Sequence, residues 1–237
     1  MNPAEYDRMR ALEDHYWWFV ARRLLALRLL DSASGRFLDL GCGTGAVLAE
    51  LEKRGDAVGL DMNSAALTMT AQRGARRLVM GKGERLPFGD HAFDRVVALD
   101  VFEHIEDDEA AFLEARRVLK PGGRLILSVP AFMSLWGPHD MALMHFRRYR
   151  KHELRGKLEA AGFKVRRLSY SVFFLFPLVW LIRQFEKRKT AHPEASLPSV
   201  PEWLNRSLIG LQSIEGWLIQ RASLPWGSSL IAEVEAL

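Results

Sequence analysis

The segment 37–45, FLDLGCGTG, constrains the fold more than any other, because an apolar strand runs directly into a turn with three glycines. Gly41, Gly43 and Gly45 permit a tight turn and a close backbone approach to a ligand, and a helix is favoured from Ala46 onward. The spacing is GxGxG, whereas dinucleotide-binding turns use GxGxxG. Strand, turn and helix together predict a βαβ unit with a nucleotide-like ligand at the turn.

Two acids indicate the chemistry of that ligand. Asp39 lies two residues before the first glycine, where a carboxylate would repel a pyrophosphate and attract an ammonium group. The methionine end of S-adenosylmethionine carries such an ammonium. Asp61 ends the next predicted strand, and its two oxygens match the two hydroxyls of a ribose. Two alternatives stay open: a glycine turn without a ligand, and Asp61 as a cap for the helix that begins near Asn63.

Composition sets the class of protein. A chain of 237 residues, 49% of them hydrophobic, suits one α/β domain with an extension. The single cysteine, Cys42, excludes an internal disulfide, and its place in the glycine turn favours a packing role. No group of Cys and His has zinc spacing, so no metal is predicted. The N-terminus has no apolar signal core, which favours a cytoplasmic protein. The net charge of +4 is compatible with binding to an anionic membrane surface or to nucleic acid and does not decide between them.

Strands and helices are predicted to alternate along the chain. The predicted strands are 36–40, 56–60, 77–80, 94–99, 124–129, 163–169 and 229–235, with parallel order expected through the fifth. The predicted helices are 46–54, 63–73, 107–119 and 151–161. The tetrapeptide KPGG at 120–123 is expected to turn the chain into the fifth strand. A helical stretch over 4–30, with aromatic residues at 16–19, is expected to pack on the core or to cover the ligand.

About sixty residues of different character separate the last two predicted strands. Residues 172–182 are eleven consecutive apolar residues, too few to span a bilayer, and a basic cluster at 183–189 follows them. A second helix is predicted over 203–221, after a proline-containing linker at 191–202. A helical pair packed on the domain and a lid that also touches lipid remain equally compatible with this pattern.

Five motifs in order resemble the class I S-adenosylmethionine-dependent methyltransferases of the small-molecule, methyltransferase type 11-like kind. They are FLDLGCGTG at 37–45, GLDMN at 59–63, ERLPF at 84–88, FDRVVALDVFEHIED at 93–107 and RVLKPGGRLILSVP at 117–130. The resemblance covers about residues 36–170 and implies an α/β, Rossmann-like seven-stranded sheet of order 3-2-1-4-5-7-6 with its last strand antiparallel. We divide the chain accordingly into an N-terminal helical cap (1–35), a cofactor-binding core (36–170), a helical insertion or lid (171–227) and the final core strand (228–237).

The same resemblance implies S-adenosyl-L-methionine as cofactor and S-adenosyl-L-homocysteine as product. The residues expected to contact the cofactor are Asp39, Gly41, Cys42, Gly43, Gly45, Asp61, Met62, Gly83, Glu84, Asp100 and His104. The adenine is expected at the 82–84 loop, against Leu86 or the backbone. Lys82 departs from the family pattern, which often has an acid there, so backbone or Glu84 would receive the adenine amino group.

Residues that follow the fourth and fifth strands are the candidates for binding the methyl acceptor. We call this region the acceptor side. Asp100, Phe102 and His104 are expected to point into the ligand crevice. A general base would help a hydroxyl or acidic-carbon acceptor, and the candidates are His139, His145, Tyr149 and His104, with the first two favoured. Metal ligation by His139, His145 and Asp140 is the weaker alternative. Arg147, Arg148 and Arg150 either clamp a phosphate or carboxylate of the acceptor or form a solvated basic face.

The flanking segments favour a small-molecule or lipid-linked acceptor. HYWWFVARR at 15–23, HDMALMHFRRY at 139–149 and LPWGSSLIAEV at 224–234 are similar to a bacterial subset that looks directed at lipid-linked or cell-envelope molecules. Such a protein would be peripheral on the inner face of the membrane. A catalytically idle regulatory protein that binds the cofactor stays open. A nucleic-acid methyltransferase is disfavoured because DVFEH at 100–104 stands where an aromatic acceptor motif would be expected, and no nucleic-acid partner is expected. The oligomeric state is left open.

Overall fold

Seven strands form one sheet in the computed structural model, which describes residues 3–30, 34–186 and 198–237. The strands are β1 (Arg36–Leu40), β2 (Asp56–Asp61), β3 (Leu78–Met80), β4 (Phe93–Leu99), β5 (Leu119–Pro130), β6 (Phe163–Ser171) and β7 (Ser229–Ala236). Their order is β3-β2-β1-β4-β5-β7-β6. Strands β1 to β5 pair in parallel, and β7 lies antiparallel between β5 and β6. The predicted order and the antiparallel last strand are confirmed.

Helices cover both faces of this sheet. They are α1 (Pro3–Leu12), α2 (Trp17–Leu29), α3 (Ala46–Glu52), α4 (Ser64–Gln72), α5 (Asp108–Val118), α6 (Pro138–Ala142), α7 (Lys151–Ala160), α8 (Phe176–Glu186) and α9 (Glu202–Ile219). Short 3₁₀ turns lie at Phe102–His104 and Met133–Leu135. In the described parts of the chain, no helix combines the length and the apolar character needed to cross a membrane.

The central strands are apolar on both faces because both faces are packed. Leu38 and Val96 belong to one hydrophobic cluster, which α5 and α7 complete. Phe37 and Val97, their neighbours in sequence, belong to the other cluster, which α2, α3 and α9 complete. Alternate residues of one strand therefore hold the two layers of helices, and the carboxyl ends of β1, β2 and β4 meet at one edge of the sheet.

The N-terminal helices and the insertion close on each other. Asn205 of α9 accepts a hydrogen bond from the Trp17 N–H at 2.8 Å and donates one to the carbonyl of His15 at 2.7 Å. Arg28 of α2 donates to the Ser213 carbonyl at 2.9 Å. These bonds join segments almost two hundred residues apart in sequence, so α2 and α9 form one covering layer over the sheet.

One residue of α9 also fixes the exit from β6. The buried carboxylate of Glu215 accepts hydrogen bonds from three consecutive N–H groups, at 172–174. Val172 in this turn has φ +61°, a conformation that is unusual for a β-branched residue. The carboxylate thus satisfies the backbone of a strained turn at the start of the insertion.

Three features differ from the predicted elements. Strand β5 begins at Leu119, which pairs with Phe93, so KPGG lies within the strand at a register shift instead of before it. His139, expected in a loop, lies on the short helix α6. Phe102, expected in the ligand crevice, is fully buried and stacks on Phe112 with 4.2 Å between ring centroids. The basic residues at 187–189 and most of the proline-containing linker lie outside the described residues.

Candidate cofactor and acceptor site

The glycine turn after β1 has the geometry of a ligand cradle. Gly41 has φ +70° and Gly43 has φ +54°. A Cβ on Gly41 would lie 2.5 Å from a methyl group of Val101, and one on Gly43 would lie 2.7 Å from the terminal methyl of Met9. The backbone conformation disfavours side chains at both positions, and at Gly41 the Val101 side chain also leaves no room for one. Cys42 is buried and its N–H donates to the Leu60 carbonyl, consistent with the predicted packing role.

Asp39 is buried at this turn, and its Oδ2 has no hydrogen-bond partner among the described residues. Burial raises the pKa of Asp39 well above its ordinary value, and the nearby carboxylates of Asp61 and Glu13 raise it further. A buried acid surrounded by other acids is costly to ionise, and a cation beside it would remove that cost. The ammonium of a methionine moiety fits this requirement.

Asp61 lines the same cradle at the end of β2. Its Oδ2 accepts from the Gly43 N–H and its Oδ1 from the Asn63 N–H, each at 2.9 Å. Burial raises the pKa of Asp61, and these backbone donors oppose the rise. Asn63 itself caps α4, since its Oδ1 accepts from the Ala65 N–H at 2.8 Å. Asp61 is therefore not needed as the cap, and each of its oxygens keeps a lone pair for a ribose hydroxyl.

The first helix and the residue that follows it lie against the cradle, one of the two placements expected for the 4–30 stretch. Tyr6 and Glu13 are buried, and Met9 rests on Gly43. Burial raises the pKa of the Tyr6 hydroxyl, with the charges of Asp61 and Cys42 adding to the effect. Glu13 accepts hydrogen bonds from Arg73 at 2.6 Å and from the Thr44 hydroxyl. Helix α1 and Glu13, the residue after it, are thereby held against Gly43 and Thr44 of the glycine turn.

The predicted adenine loop forms a tight turn beside the cradle. The Arg85 N–H donates to the Lys82 carbonyl at 3.2 Å. Gly83 is buried, and a Cβ there would lie 2.6 Å from Ile105. Leu86 is buried in the core cluster, with its N–H donating to Glu114 at 2.7 Å. This leaves Glu84 and the backbone of the turn as the groups available to an adenine, while Met62 lies exposed after Asp61.

Asp100 begins the acceptor side, after β4. It has φ +56°, and both its carboxylate oxygens accept hydrogen bonds from protein groups: Oδ1 from the Ser128 hydroxyl at 2.7 Å and Oδ2 from Arg22 of α2. Burial alone would raise the pKa of Asp100, but Arg22 and Ser128 hold it below its ordinary value. Asp100 thus joins α2 to the sheet. Its contact with the cofactor remains a prediction.

Two of the predicted catalytic histidines lie together beside Asp100. The rings of His104 and His145 are edge to face with 4.6 Å between centroids. Burial lowers the pKa of His104 to about 3, and the proximity of His145 adds to this. The adjacent Glu103 is fully buried, and neither of its carboxylate oxygens has a hydrogen-bond partner among the described residues. Sequence reasoning missed Glu103.

His145 is held by a buried ion pair. Its Nδ1 lies 3.0 Å from Asp140 Oδ1, and Asp140 accepts from Arg148 Nε at 2.8 Å and Nη2 at 3.1 Å. Burial would raise the pKa of Asp140, but His145 and Arg148 hold it well below its ordinary value. His139, on α6, has its pKa lowered to about 4 by burial and by Arg183. His139 is therefore neutral at physiological pH.

Other predicted acceptor residues are engaged in structural contacts. The Tyr149 hydroxyl donates to Asp108 at 2.7 Å inside the core, and burial followed by the Asp108 charge raises its pKa. Tyr149 is thus a poor base, because its proton is held by a carboxylate. Arg147 pairs with the same Asp108 at 2.6 Å, and Arg148 is buried against Asp140. The structure therefore removes Arg147 and Arg148 from a phosphate clamp and leaves Arg150 exposed.

Comparison with known proteins agrees with this geometry. Residues 38–127 match the family model described as a methyltransferase domain. The chain is similar to a protein of Mycolicibacterium smegmatis named "Probable S-adenosylmethionine-dependent methyltransferase", with 32% identity over 65% of this chain and 62% of that one. It is also similar to the demethylmenaquinone methyltransferase of Lactiplantibacillus plantarum, with 33% identity over 51% of this chain and 56% of that one. The matches thus span about three fifths of these relatives' lengths.

Solved structures share the fold. A methyltransferase from Thermotoga maritima aligns with a TM-score of 0.64 at 20% identity, over 99% of this chain and 96% of that one. A second, from Mesorhizobium loti, aligns with a TM-score of 0.59 at 16% identity, over 94% and 99%. Identities this low establish architecture only. The matched segment, 38–127, and the sheet order thus bear out the resemblance to the class I S-adenosylmethionine-dependent methyltransferases, and the family match is confined to that segment.

Proposed function

We propose that this protein transfers the methyl group of S-adenosylmethionine to a lipid-soluble or lipid-linked acceptor. The observation that carries the proposal is the pair of buried acids, Asp39 and Asp61, on either side of the glycine turn. Asp39 lacks a partner for one oxygen, and Asp61 presents two oxygens with remaining acceptor capacity. Such a cradle suits one cationic amine and one diol on the same ligand, as S-adenosylmethionine has.

The protein's part in the reaction is orientation and exclusion of water. When bound, the cofactor supplies a methyl group on a positively charged sulfur, which is already activated for in-line displacement. Asp39 would hold the ammonium and Asp61 the ribose. Met9 of α1 and Glu13, which follows this helix, lie over the turn, and Arg22 of α2 lies over Asp100. Removal of water strengthens the electrostatic contacts of the site and protects the sulfonium from side reactions.

An apolar rim beside the acceptor residues supports a lipidic acceptor. The exposed large apolar residues of the segment between β5 and α7 are Met133, Met141, Met144 and Phe146. Those of α8 are Leu178, Trp180, Leu181, Ile182 and Phe185. Helix α8 packs on the 3₁₀ turn at Met133–Leu135, and Phe176 lies 6.0 Å from Phe132 between ring centroids. The two groups thus lie on segments that contact each other, and we call them together the apolar rim. Exposed apolar side chains grouped in this way are typical of interaction with lipid or an apolar ligand.

The names of two relatives point in the same direction. The proteins from Lactiplantibacillus plantarum and Mycobacterium tuberculosis are demethylmenaquinone methyltransferases by name, with 33% and 35% identity to this chain. We therefore take an apolar acceptor of the quinone class as the first to test. A peripheral position on the inner face of the membrane would bring the rim to such an acceptor.

The test is calorimetric titration with S-adenosylhomocysteine, with and without anionic liposomes, followed by turnover with S-adenosylmethionine. We expect micromolar binding of S-adenosylhomocysteine and methyl transfer to demethylated menaquinol presented in liposomes. Binding without transfer to the quinol or to any fraction of a bacterial lipid extract would favour an idle cofactor-binding protein. Absence of binding in both conditions would refute the methyltransferase function itself.

A further inference from the structure

Three side chains on the acceptor side form a compact group of potential metal ligands. Glu103, His104 and His145 each offer one ligand atom, and these atoms all lie within 4.8 Å of one another. Bonds of about 2.0 to 2.2 Å from a zinc ion place its ligand atoms roughly 3 to 4 Å apart. The three side chains therefore need to approach by only a fraction of their present separation to share one ion.

The buried carboxylate of Glu103 is the second observation. Its exposed fraction is 0%, and neither oxygen has a hydrogen-bond partner among the described residues. A buried carboxyl group without a donor is costly to maintain, so a partner of positive charge is expected there. Arg22 and Arg148 are close enough to oppose the rise in the pKa of Glu103 caused by its burial, but the hydrogen bonds of these two side chains go to Asp100 and Asp140, so neither carboxylate oxygen of Glu103 receives one.

Neighbouring groups hold the three side chains in place, as is usual for metal ligands. His145 Nδ1 is held by Asp140, which leaves Nε2 as the atom that can bind an ion. The backbone of Leu143 lies near the His104 ring and opposes the lowering of the His104 pKa. The Phe146 N–H donates to the Glu103 carbonyl at 2.7 Å, which locks the segment of His145 against that of Glu103. A carboxylate or carbonyl behind each ligating histidine is the usual outer shell of a metal site.

We propose that Glu103, His104 and His145 bind one divalent transition-metal ion of the zinc class. Two imidazoles and one carboxylate are a ligand set that favours Zn²⁺, Co²⁺ or Fe²⁺, whereas Mg²⁺ and Ca²⁺ prefer oxygen ligands alone. Three protein ligands leave a position open for water or for a substrate oxygen. The site shares only His145 with the weaker sequence alternative, since Asp140 supports His145 instead of binding the ion.

The position of the site suggests what it would bind. The cluster directly precedes Ile105, which packs on Gly83 of the predicted adenine turn, and it lies beside Asp100. Resting on the proposed function, the open position would bind an acceptor hydroxyl next to the cofactor. The ion would hold and polarise the acceptor oxygen at that position, so the two histidines would act as ligands instead of general bases.

The experiment is equilibrium dialysis of tag-free, chelator-treated protein against Zn²⁺ and, separately, Co²⁺. We expect one equivalent bound with a dissociation constant below about 1 µM. Bound Co²⁺ should give a visible absorption band, and excess Ca²⁺ should not remove it. Glu103→Gln and His145→Ala should each weaken Zn²⁺ binding at least tenfold, and Asp140→Asn by roughly 10- to 100-fold. His152→Ala is the matched control, because the His152 side chain is 76% exposed on α7 and lies outside the cluster.

Metal binding is read without cofactor or acceptor, so its outcome is independent of the proposed methyl transfer. S-adenosylhomocysteine affinity and the thermal midpoint of each variant show whether the cradle and the fold are retained. If Glu103→Gln loses its fold, His145→Ala, whose side chain lies in the segment before α7, carries the test. Absence of stoichiometric binding by the wild type, or binding that neither substitution weakens, would overturn the proposal and leave a protonated Glu103 as the explanation.

Discussion

The cofactor cradle and the acceptor side lie on the same edge of the sheet but are built in opposite ways. The cradle comes from one continuous stretch, residues 37–63, in which strand, turn and acid follow one another. The acceptor side is assembled from residues 100–104 and 133–148, with α2 and α9 closing over it. A local motif therefore reveals the chemistry of the cofactor, whereas the chemistry of the acceptor depends on contacts that only the folded chain creates.

The cofactor cradle and the acceptor side also differ in which residues adopt positive φ angles. In the cradle, positive φ angles belong to glycines, which adopt them at no steric cost. Around the acceptor side they belong to Asp100, Phe132, Met144 and Val172. Each costs on the order of 1 kcal/mol and persists only where tertiary contacts impose it. At Asp100 the positive φ angle is held by the ion pair with Arg22. The Phe132 ring stacks on Tyr170 with 5.0 Å between centroids, and Glu215 stabilises the turn at Val172.

The largest effect is expected in the cradle. Asp61→Ala removes the carboxylate that we expect to receive two ribose hydroxyls, and hydrogen bonds to charged groups contribute about 1.5 to 3 kcal/mol each. We expect S-adenosylhomocysteine affinity to fall about a thousandfold, roughly 4 kcal/mol, by calorimetry. Asp56→Ala is the control at the other end of β2, where an exposed carboxylate pairs with Arg77 and Arg36. Equal affinity in Asp61→Ala and wild type would show that the ribose lies elsewhere.

Much of the sheet could be predicted because each element carries its own pattern. The predicted bounds of β1 agree with the structure, and those of β2, β4 and β7 differ by one residue. Strand β5 starts five residues early because Leu119 pairs with Phe93, a partner that no local pattern reveals. Asp39 and Asp61 were predicted as cofactor-binding residues for the same local reason, since their spacing from the glycines marks them, and this role remains a prediction.

The remaining features of the site depend on contacts between residues that are far apart in the sequence. Nothing in the sequence indicates that Met9 rests on Gly43 or that Asp140 holds His145. Arg148 was a candidate anion clamp because arginine clusters often bind anions, but Asp140 from the preceding helix already occupies it. Glu103 was missed because a glutamate after a strand is ordinary; its burial without a partner becomes visible only after folding.

The next largest effect tests whether tertiary contacts hold the acceptor side. Glu215→Ala leaves the N–H groups of residues 172–174 without their acceptor, and an unpaired buried donor costs about 1 to 3 kcal/mol. We expect the free energy of unfolding to drop by about 3 kcal/mol in urea denaturation. Glu202→Ala, in the exposed first turn of the same helix, should change it by less than about 0.5 kcal/mol. A similar small loss in both variants would mean that the turn at Val172 does not need Glu215.

A smaller effect of opposite sign is expected from Asp39. Burial raises its pKa in the folded protein, so as pH rises above the ordinary value of 3.8 the unfolded chain releases a proton that the folded chain retains, and stability falls until the folded-state pKa is passed. Asp39→Asn removes this loss. We expect the ligand-free variant to melt roughly 2 to 4 °C higher at pH 7, but not at pH 4, while its S-adenosylhomocysteine affinity decreases. A variant less stable than wild type at pH 7 would contradict the cost assigned to Asp39.

The smallest effect on stability should come from the apolar rim. Its apolar side chains are exposed to solvent, whereas the acids of the cofactor cradle are buried. Leu178, Trp180 and Leu181 of α8 are each about half exposed, so replacing them with serine removes little buried surface and should change the free energy of unfolding by less than about 1 kcal/mol. If the rim meets lipid, the triple variant should lose flotation with anionic liposomes and keep its affinity for S-adenosylhomocysteine, because the cradle is built from other residues. A matched triple variant of exposed polar residues on α7 (His152, Glu153 and Arg155 to serine) should float like wild type. Unchanged flotation in the rim variant would instead favour a lid whose apolar side chains serve only the acceptor.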